Sequence, residues 1–199
     1  MGKKKEMLKC FFKVITNNES ETNKIIPDMY AENFYKIDID FLLNKGINNL
    51  ILDIDGTLME VDSTYVSEEL VNHINLLKSK NINMCLVSNN GNERVLPVSE
   101  KLGLKYLANA GKPLKEAFDK AMDILNTNDK KSVAMVGDQM MSDIKGANEY
   151  GIYSILVKSI SKHDNIQTGT SRFLQNIMEK HLKKINKFDK DVYYKKGMW

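Results

Sequence analysis

Asp53 and Asp55 stand one residue apart, directly after the apolar run Leu50-Ile51-Leu52 and directly before Gly56-Thr57. Two carboxylates held that close repel unless a cation or a shared proton lies between them. Further along come three more polar sites: Ser88-Asn89, Lys112, and Asp138 with Asp143. Asp53, Asp55 and Asp138 offer hard oxygen ligands, and these favour Mg²⁺. Ser88 and the N–H groups after it can hold phosphate oxygens, as turns entering helices commonly do. Lys112 stands before a helix start, where a cation is unfavourable without an anion nearby. An anionic ligand or the neighbouring carboxylates would account for it. Taken singly, each residue has a plainer reading: an Asp/Gly turn, a loop serine, a surface lysine. Taken together, they read as one site for a divalent cation and an anion.

The elements that must position them follow a regular alternation. The run at 50–52 has strand length and continuous apolarity, as a buried central strand of a parallel sheet requires. If that strand continued, Asp53 and Asp55 would share a face. Ser67 reads as an N-cap with Glu68 and Glu69 in the first turn. Leu70, Val71, Ile74 and Leu77 supply the apolar stripe. A second strand, 84–87, ends at Ser88, and the next helix ends near Gly103. A short third strand falls at 106–108. Lys112-Pro113 opens a helix, proline suiting its first turn, with Leu114, Ala117, Phe118, Ala121, Met122 and Leu125 as its buried face. Strand four, 133–136, closes at Gly137-Asp138, the following helix ends at Gly151, and 153–157 is a fifth strand. Five strands alternating with helices predict an α/β fold with a doubly wound, mostly parallel sheet. The polar sites then lie at the carboxyl edge, where such sheets bind ligands.

With 199 residues, 42% hydrophobic and 28% charged, the chain suits one globular domain. No apolar run approaches the roughly 20 residues of a membrane span. Lys9 and Lys13 interrupt the apolar start, so it does not read as a secretory signal. Cys10 and Cys85 form no disulfide framework and no metal-ligand spacing, which predicts a reduced, cytoplasmic protein. His73, His163 and His181 make no zinc pattern. The net charge of +3 is uneven, with five lysines against Glu6 in 1–13 and seven against Glu179, Asp189 and Asp191 in 179–199. Basic ends suit an anionic surface; they also simply keep a protein dissolved. Residues 1–16 predict a basic amphipathic helix, with Met7, Leu8, Phe11, Phe12 and Ile15 on one face and Lys5, Lys9 and Lys13 opposite. Such a helix either lies on a membrane or packs on its own domain. Residues 17–23 read as a linker, and Gly46 ends a short helix. The division is then a basic extension over 1–24, a domain over 25–180 and a basic tail over 181–199.

D-I-D-G-T-L, L-V-S-N-N, a lone K-P and V-G-D-Q-M-M-S-D resemble the four motifs of the haloacid dehalogenase (HAD) superfamily of phosphohydrolases, over residues 48–157. Over roughly 25–180 the chain resembles the YqeG-type HAD-IIIA phosphatases, a group related to the mitochondrial phosphatidylglycerophosphate phosphatases. That resemblance rests on Ile26-Pro27-Asp28-Met29-Tyr30, Ile37-Asp38-Ile39-Asp40-Phe41, Ser88-Asn89-Asn90 with Glu93-Arg94-Val95, and Gly137-Asp138-Gln139. It departs at Gly56, where the group usually has Asn, and at Glu149, where it usually has Arg. A T-x-x-N-R element is matched only by Thr168, Ser171 and Arg172.

The resemblance implies a Mg²⁺-dependent phosphomonoester hydrolase. Asp53 would be the nucleophile that forms an aspartyl-phosphate, and Asp55 the general acid and base. Asp53, the Asp55 carbonyl, Asp138 and Asp143 would hold the metal. Thr57, Ser88, Asn89 and Lys112 would hold the phosphoryl oxygens. The short spacings from Asp55 to Ser88 and from Ser88 to Lys112 leave no room for an inserted cap domain. An open site favours a large substrate, here a lipid headgroup, with phosphatidylglycerophosphate first and peripheral membrane contact through the N-terminal segment. Alternatives are a phosphatase for a phosphoprotein, nucleotide or sugar phosphate, or an inactive adaptor for a ribosome or GTPase. Both aspartates are present, which argues against the adaptor. Nucleic acid is the least favoured partner, and the sequence carries no signal of oligomeric state.

Overall fold

The computed structural model describes residues 2–61, 63–160 and 166–190. Its centre is one sheet with strand order β1-β6-β5-β2-β3-β4. The strands are β1 (Met29–Ala31), β2 (Asn49–Leu52), β3 (Asn83–Val87), β4 (Lys105–Leu107), β5 (Val133–Gly137) and β6 (Tyr153–Val157). All five pairings are parallel. The sheet therefore has six strands, not five, and is wholly parallel. The additional strand is β1, three residues at the sheet edge. Its entry is fixed by Asp28, whose Oδ2 accepts from the Ser154 N–H (2.9 Å) and hydroxyl (3.0 Å).

β2 is buried throughout and alternates as a strand must. Leu50 and Leu52 enter one apolar layer with α3 (Ile39–Asn44), α4 (Glu68–Ser79) and α5 (Asn92–Leu102). Ile51 enters the opposite layer with α6 (Lys115–Leu125) and α7 (Lys145–Tyr150). The Ser67 cap forms, its Oγ accepting from the Leu70 N–H at 3.1 Å. The segment at 17–23 is not a plain linker. Asn18 accepts from the Glu21 N–H (3.0 Å) and starts the short helix α2 (Glu19–Asn23). Nor does the helix after Lys112 begin at Pro113. Leu114 N–H closes a turn onto the Gly111 carbonyl (3.1 Å), the Lys112–Pro113 peptide is cis, and α6 starts at Lys115. That turn, rather than a first helical turn, carries Lys112.

A third apolar cluster joins α1 (Gly2–Ile15) to α8 (Ile166–Lys184). Cys10, Phe11 and Val14 are buried with Leu174, Met178 and Leu182. The predicted apolar face of α1 thus divides: Phe11 packs inward, while Leu8 and Phe12 stay exposed, Phe12 at 58%. The side chains of Met7 and Lys5 lie outside the described residues. Among the described residues no helix is long and apolar enough to cross a membrane.

From β2 the chain adds β3 and β4 on one side, then returns to add β5 and β6 on the other, β6 filling the place between β5 and the earlier β1. This makes the carboxyl edge of β2 the switch point, where open sheets form a crevice. The β2–β3 crossover holds a loop and α4, and the β3–β4 crossover holds α5, so no cap domain is inserted in either.

Candidate active site

Register sets the site. Leu52 of β2 lies level with Leu86 of β3 and Val136 of β5. The residues that follow are therefore neighbours: Asp53 in the middle, Ser88 on one side, Asp138 on the other. The Asp53 N–H donates to the Val136 carbonyl at 3.0 Å, which fixes the first loop residue. β2 itself ends at Leu52, so Asp53 and Asp55 do not share a strand face.

Asp53, Asp138 and Asp143 are all buried, and their carboxylate oxygens lie within 4.8 Å of one another. Lys112, 2% exposed, places Nζ 2.7 Å from Asp53 Oδ1 and 2.8 Å from Asp143 Oδ1. Thr57 Oγ1 donates to Asp53 Oδ2 at 3.2 Å. Asp143 reaches the group from a π-helical turn, Met140–Ile144, a distortion common at functional sites. Its Oδ2 accepts from the Gln139 N–H at 3.1 Å. Gly137 makes this possible, since a Cβ there would collide with the Asp143 carboxylate. Gly56, at φ +88°, likewise leaves room: a Cβ would collide with Asp138 Oδ2 and come 2.9 Å from the Arg172 guanidinium.

Asp55 is turned elsewhere. Its Oδ1 accepts from Arg94 Nε (3.0 Å) and Nη2 (2.7 Å), and its Oδ2 from Asn90 Nδ2 (2.7 Å). Its carboxylate is not part of the buried trio. The Ser88 hydroxyl accepts from the Asn90 N–H (3.1 Å), and the Asn89 amide donates to the Lys112 carbonyl (3.1 Å). Glu149 is away from this cluster, paired with Lys24 (3.1 Å) and Lys145 (2.8 Å). The side chains of Thr168 and Ser171 lie outside the described residues.

The family model for haloacid dehalogenase-like hydrolases matches residues 8–151. The chain belongs to that family. The Probable phosphatase YqeG of Bacillus subtilis is 30% identical over 159 residues, 80% of this chain and 92% of its own. A cardiolipin synthase (CMP-forming) / mitochondrial hydrolase fusion protein of Schizosaccharomyces pombe is 47% identical over 64 residues, 28% of this chain and 11% of that one. Among solved structures, an uncharacterized protein from Listeria monocytogenes serotype 4b is 22% identical, with TM-score 0.49, over 60% of this chain and 85% of its own. This chain is thus a YqeG-like HAD phosphatase.

The buried acids of this HAD site could hold a cation. Burial lifts the carboxyl of Asp53 above the ordinary range; Lys112 opposes the rise and Asp143 adds to it. Burial also lifts Asp138, with Asp53 and Asp143 adding and Arg172 opposing. For Lys112 burial works downward, but Asp143 and Asp53 outweigh it and hold the ammonium above its usual range. Asp138 Oδ2 has Arg172 Nη2 at 3.3 Å, while its Oδ1 is buried without a hydrogen-bond partner. An orphaned buried carboxylate oxygen beside two more hard-oxygen donors fits Mg²⁺.

This has a thermal consequence. Both acids rise from about 3.8 when unfolded, to about 6 for Asp53 and about 8 for Asp138. A raised acid stabilises the fold fully below its unfolded value and loses that contribution as pH climbs through the folded one. The metal-free protein should therefore lose stability between about pH 4 and pH 8. Mg²⁺ binds the ionised acids, so the Tm gain it gives should be several °C larger at pH 8 than at pH 5, at about 2–4 °C per kcal/mol. Melting curves with and without Mg²⁺ at both pH values decide the matter, and equal gains would contradict it.

Sequence reasoning gave no role to four residues here, although Asn90, Arg94 and Arg172 stood in the motifs it matched. Asn90 and Arg94 hold Asp55. Arg172 pairs with Asp138, and Gln175 of α8 both donates to the Asp138 carbonyl (2.9 Å) and accepts from the Met140 N–H (2.9 Å). Arg94 did leave a signal: it lies in the first turn of α5, where a cation opposes the helix dipole. The same oddity singled out Lys112. Arg172 left one only as the arginine of the partly matched T-x-x-N-R element, and Gln175 left none, since nothing local marks one polar residue of α8 as inward-facing.

Proposed function

We propose that this phosphatase is Mg²⁺-dependent, works through an aspartyl-phosphate and acts on a lipid headgroup, with phosphatidylglycerophosphate as substrate. The observation that carries the chemistry is the buried Asp53, Asp138 and Asp143 trio with Lys112 against Asp53. Asp53 attacks phosphorus, and an Oδ–P bond forms as the bond to the alcohol oxygen breaks. Asp55 gives that oxygen its proton. It then takes a proton from the water that cleaves the aspartyl-phosphate, which frees Asp53 and inorganic phosphate. Asp53, Asp138, Asp143 and the Asp55 carbonyl would hold Mg²⁺, which lets an anionic nucleophile approach an anionic phosphate. Lys112, Thr57 and Ser88 hold the phosphoryl oxygens, and Asn89 steadies Lys112 through its carbonyl.

Three observations support a bilayer substrate. No cap is inserted over the site. Exposed apolar side chains stand close to site residues in the chain: Leu114 two residues beyond Lys112, and Phe173, 64% exposed, beside Arg172. On α1, Leu8 and Phe12 are exposed, while Lys9 and Lys13 line a cleft of about 360 Å³ together with Leu114 and Lys115. Such a rim suits weak peripheral docking, each lysine near anionic lipid adding about 1 kcal/mol. The name of the yeast relative, which pairs a hydrolase with a cardiolipin synthase, agrees with a phospholipid.

Because Phe11 and Val14 are core residues, the docking test is a surface variant. Leu8→Glu/Phe12→Glu should lower turnover of phosphatidylglycerophosphate in anionic liposomes by about tenfold or more, from lost apolar contact. Turnover of p-nitrophenyl phosphate should stay the same. An equal fall on both would place α1 in the folding of the site. Absence of any lipid turnover would turn the reading to a phosphoprotein, nucleotide or sugar phosphate.

A further inference from the structure

We infer that Arg94 is the positioning residue for Asp55, holding its carboxylate beside α5 and out of the cation site. The inference rests on the acid–base role proposed for Asp55. Asp55 follows Asp53 by two residues in an irregular loop, so its backbone alone does not dictate where its carboxylate goes. Three hydrogen bonds do: the Nε and Nη2 of Arg94 on Oδ1 and the Asn90 amide on Oδ2. Both Arg94 bonds fall on one oxygen, and with Asn90 on the other the carboxylate is held at both oxygens, one of them by a charge-assisted pair.

Arg94 is itself well held. It sits in the first turn of α5, and Val95 and Val98 of that helix are buried in the core. Its Nη1 donates to the Ser63 carbonyl, so the same side chain ties the loop after Thr57 to the helix. The pair is largely shielded, with side-chain exposures of 16% for Arg94 and 10% for Asp55. Three buried carboxylates, Asp53, Asp138 and Asp143, could hold a divalent cation. A fourth carboxylate free to rotate would be drawn to that cation and lost to proton transfer, which needs it within about 3 Å of the leaving oxygen. Arg94 prevents this by giving Asp55 a competing cation on the opposite side.

Leaving-group dependence tests the inference, because only poor leaving groups need the proton. Activity is measured on glycerol phosphate and on p-nitrophenyl phosphate for wild type, Asp55→Asn, Arg94→Met and Arg94→Lys. Arg94→Met should lose about 30–100-fold on the alkyl ester, within the range of lost general acid catalysis, and under about threefold on the aryl ester. Arg94→Lys should fall between. In the Asp55→Asn background, Arg94→Met should add under about threefold, since both act through one group. Calorimetric titration with Mg²⁺ gives a second readout: Arg94→Met should bind the ion at least as tightly as wild type. Equal losses on both esters, or a full additional loss in the double variant, would overturn the positioning role. If Asp55→Asn itself shows no preference between the esters, the acid role of Asp55 fails, and the role of Arg94 fails with it. Should Arg94→Met not fold, Arg94→Lys and Asn90→Ala carry the same comparison.

Discussion

Asp53→Asn should leave a folded protein with phosphatase activity reduced by about 10⁴–10⁶-fold, the scale seen when a covalent nucleophile is removed. The amide keeps the shape of the carboxylate: its oxygen can accept from Lys112, 2.7 Å from Oδ1 in the native site, and its NH2 can donate to the Thr57 hydroxyl, 3.2 Å from Oδ2. What disappears is the attacking anion. Removing that charge relieves repulsion from Asp143 and Asp138 but also takes one of its two carboxylates from Lys112, so the two effects oppose each other and the metal-free melting temperature at pH 8 should shift by only a few °C. Steady-state kinetics with p-nitrophenyl phosphate, paired with a melting curve, measures both. Beryllofluoride with Mg²⁺ should give a bound ¹⁹F signal on wild type and none on the variant. Activity within tenfold of wild type would exclude Asp53 as nucleophile.

Lys112→Met should damage both stability and catalysis. The lysine is enclosed between Asp53 (2.7 Å) and Asp143 (2.8 Å), with all three side chains nearly inaccessible. Removing one partner of a buried charge group leaves the others uncompensated, which costs about 3–5 kcal/mol. That loss should appear in urea denaturation of the metal-free protein near neutral pH. Excess Mg²⁺ should restore part of it, because the cation compensates the same two carboxylates. Restored stability should not restore activity: a loss of about 10²–10³-fold in kcat should remain, as expected when one donor to a developing charge is removed. Unchanged stability without metal would mean that Asp53 and Asp143 do not depend on this lysine for compensation.

The catalytic strand was legible in the sequence because its physics is local. Leu50-Ile51-Leu52 must be buried on both faces, and a run so placed between helices has few other fates. The same holds for 84–87, 133–136 and 153–157, each close to an observed strand. β1 was not legible: Met29–Ala31 is short, and its pairing partner lies more than a hundred residues away. The start of α6 was misplaced because proline is favoured at a first helical position, whereas here a turn from Gly111 to Leu114 comes first. The orientation of Asp55 could not be read locally either. Its partners, Asn90 and Arg94, arrive with the next strand and helix. Spacing says which residues approach the carboxyl edge; only packing says which way a side chain turns.

The cluster that joins α1 to α8 has a consequence for biosynthesis. α1 is made well before α8, whose Leu174, Met178 and Leu182 share one buried cluster with its Cys10, Phe11 and Val14. About 150 residues separate the two helices, which at 5–20 residues per second takes roughly 8–30 s. For that interval the nascent chain carries an apolar ridge not yet covered by α8, followed by parallel strands that cannot yet pair across the whole sheet. β1 waits for β6 in the same way. Translation speed between α1 and α8 therefore sets how long the newborn protein is open to holding chaperones or to sticking to its neighbours on the same message.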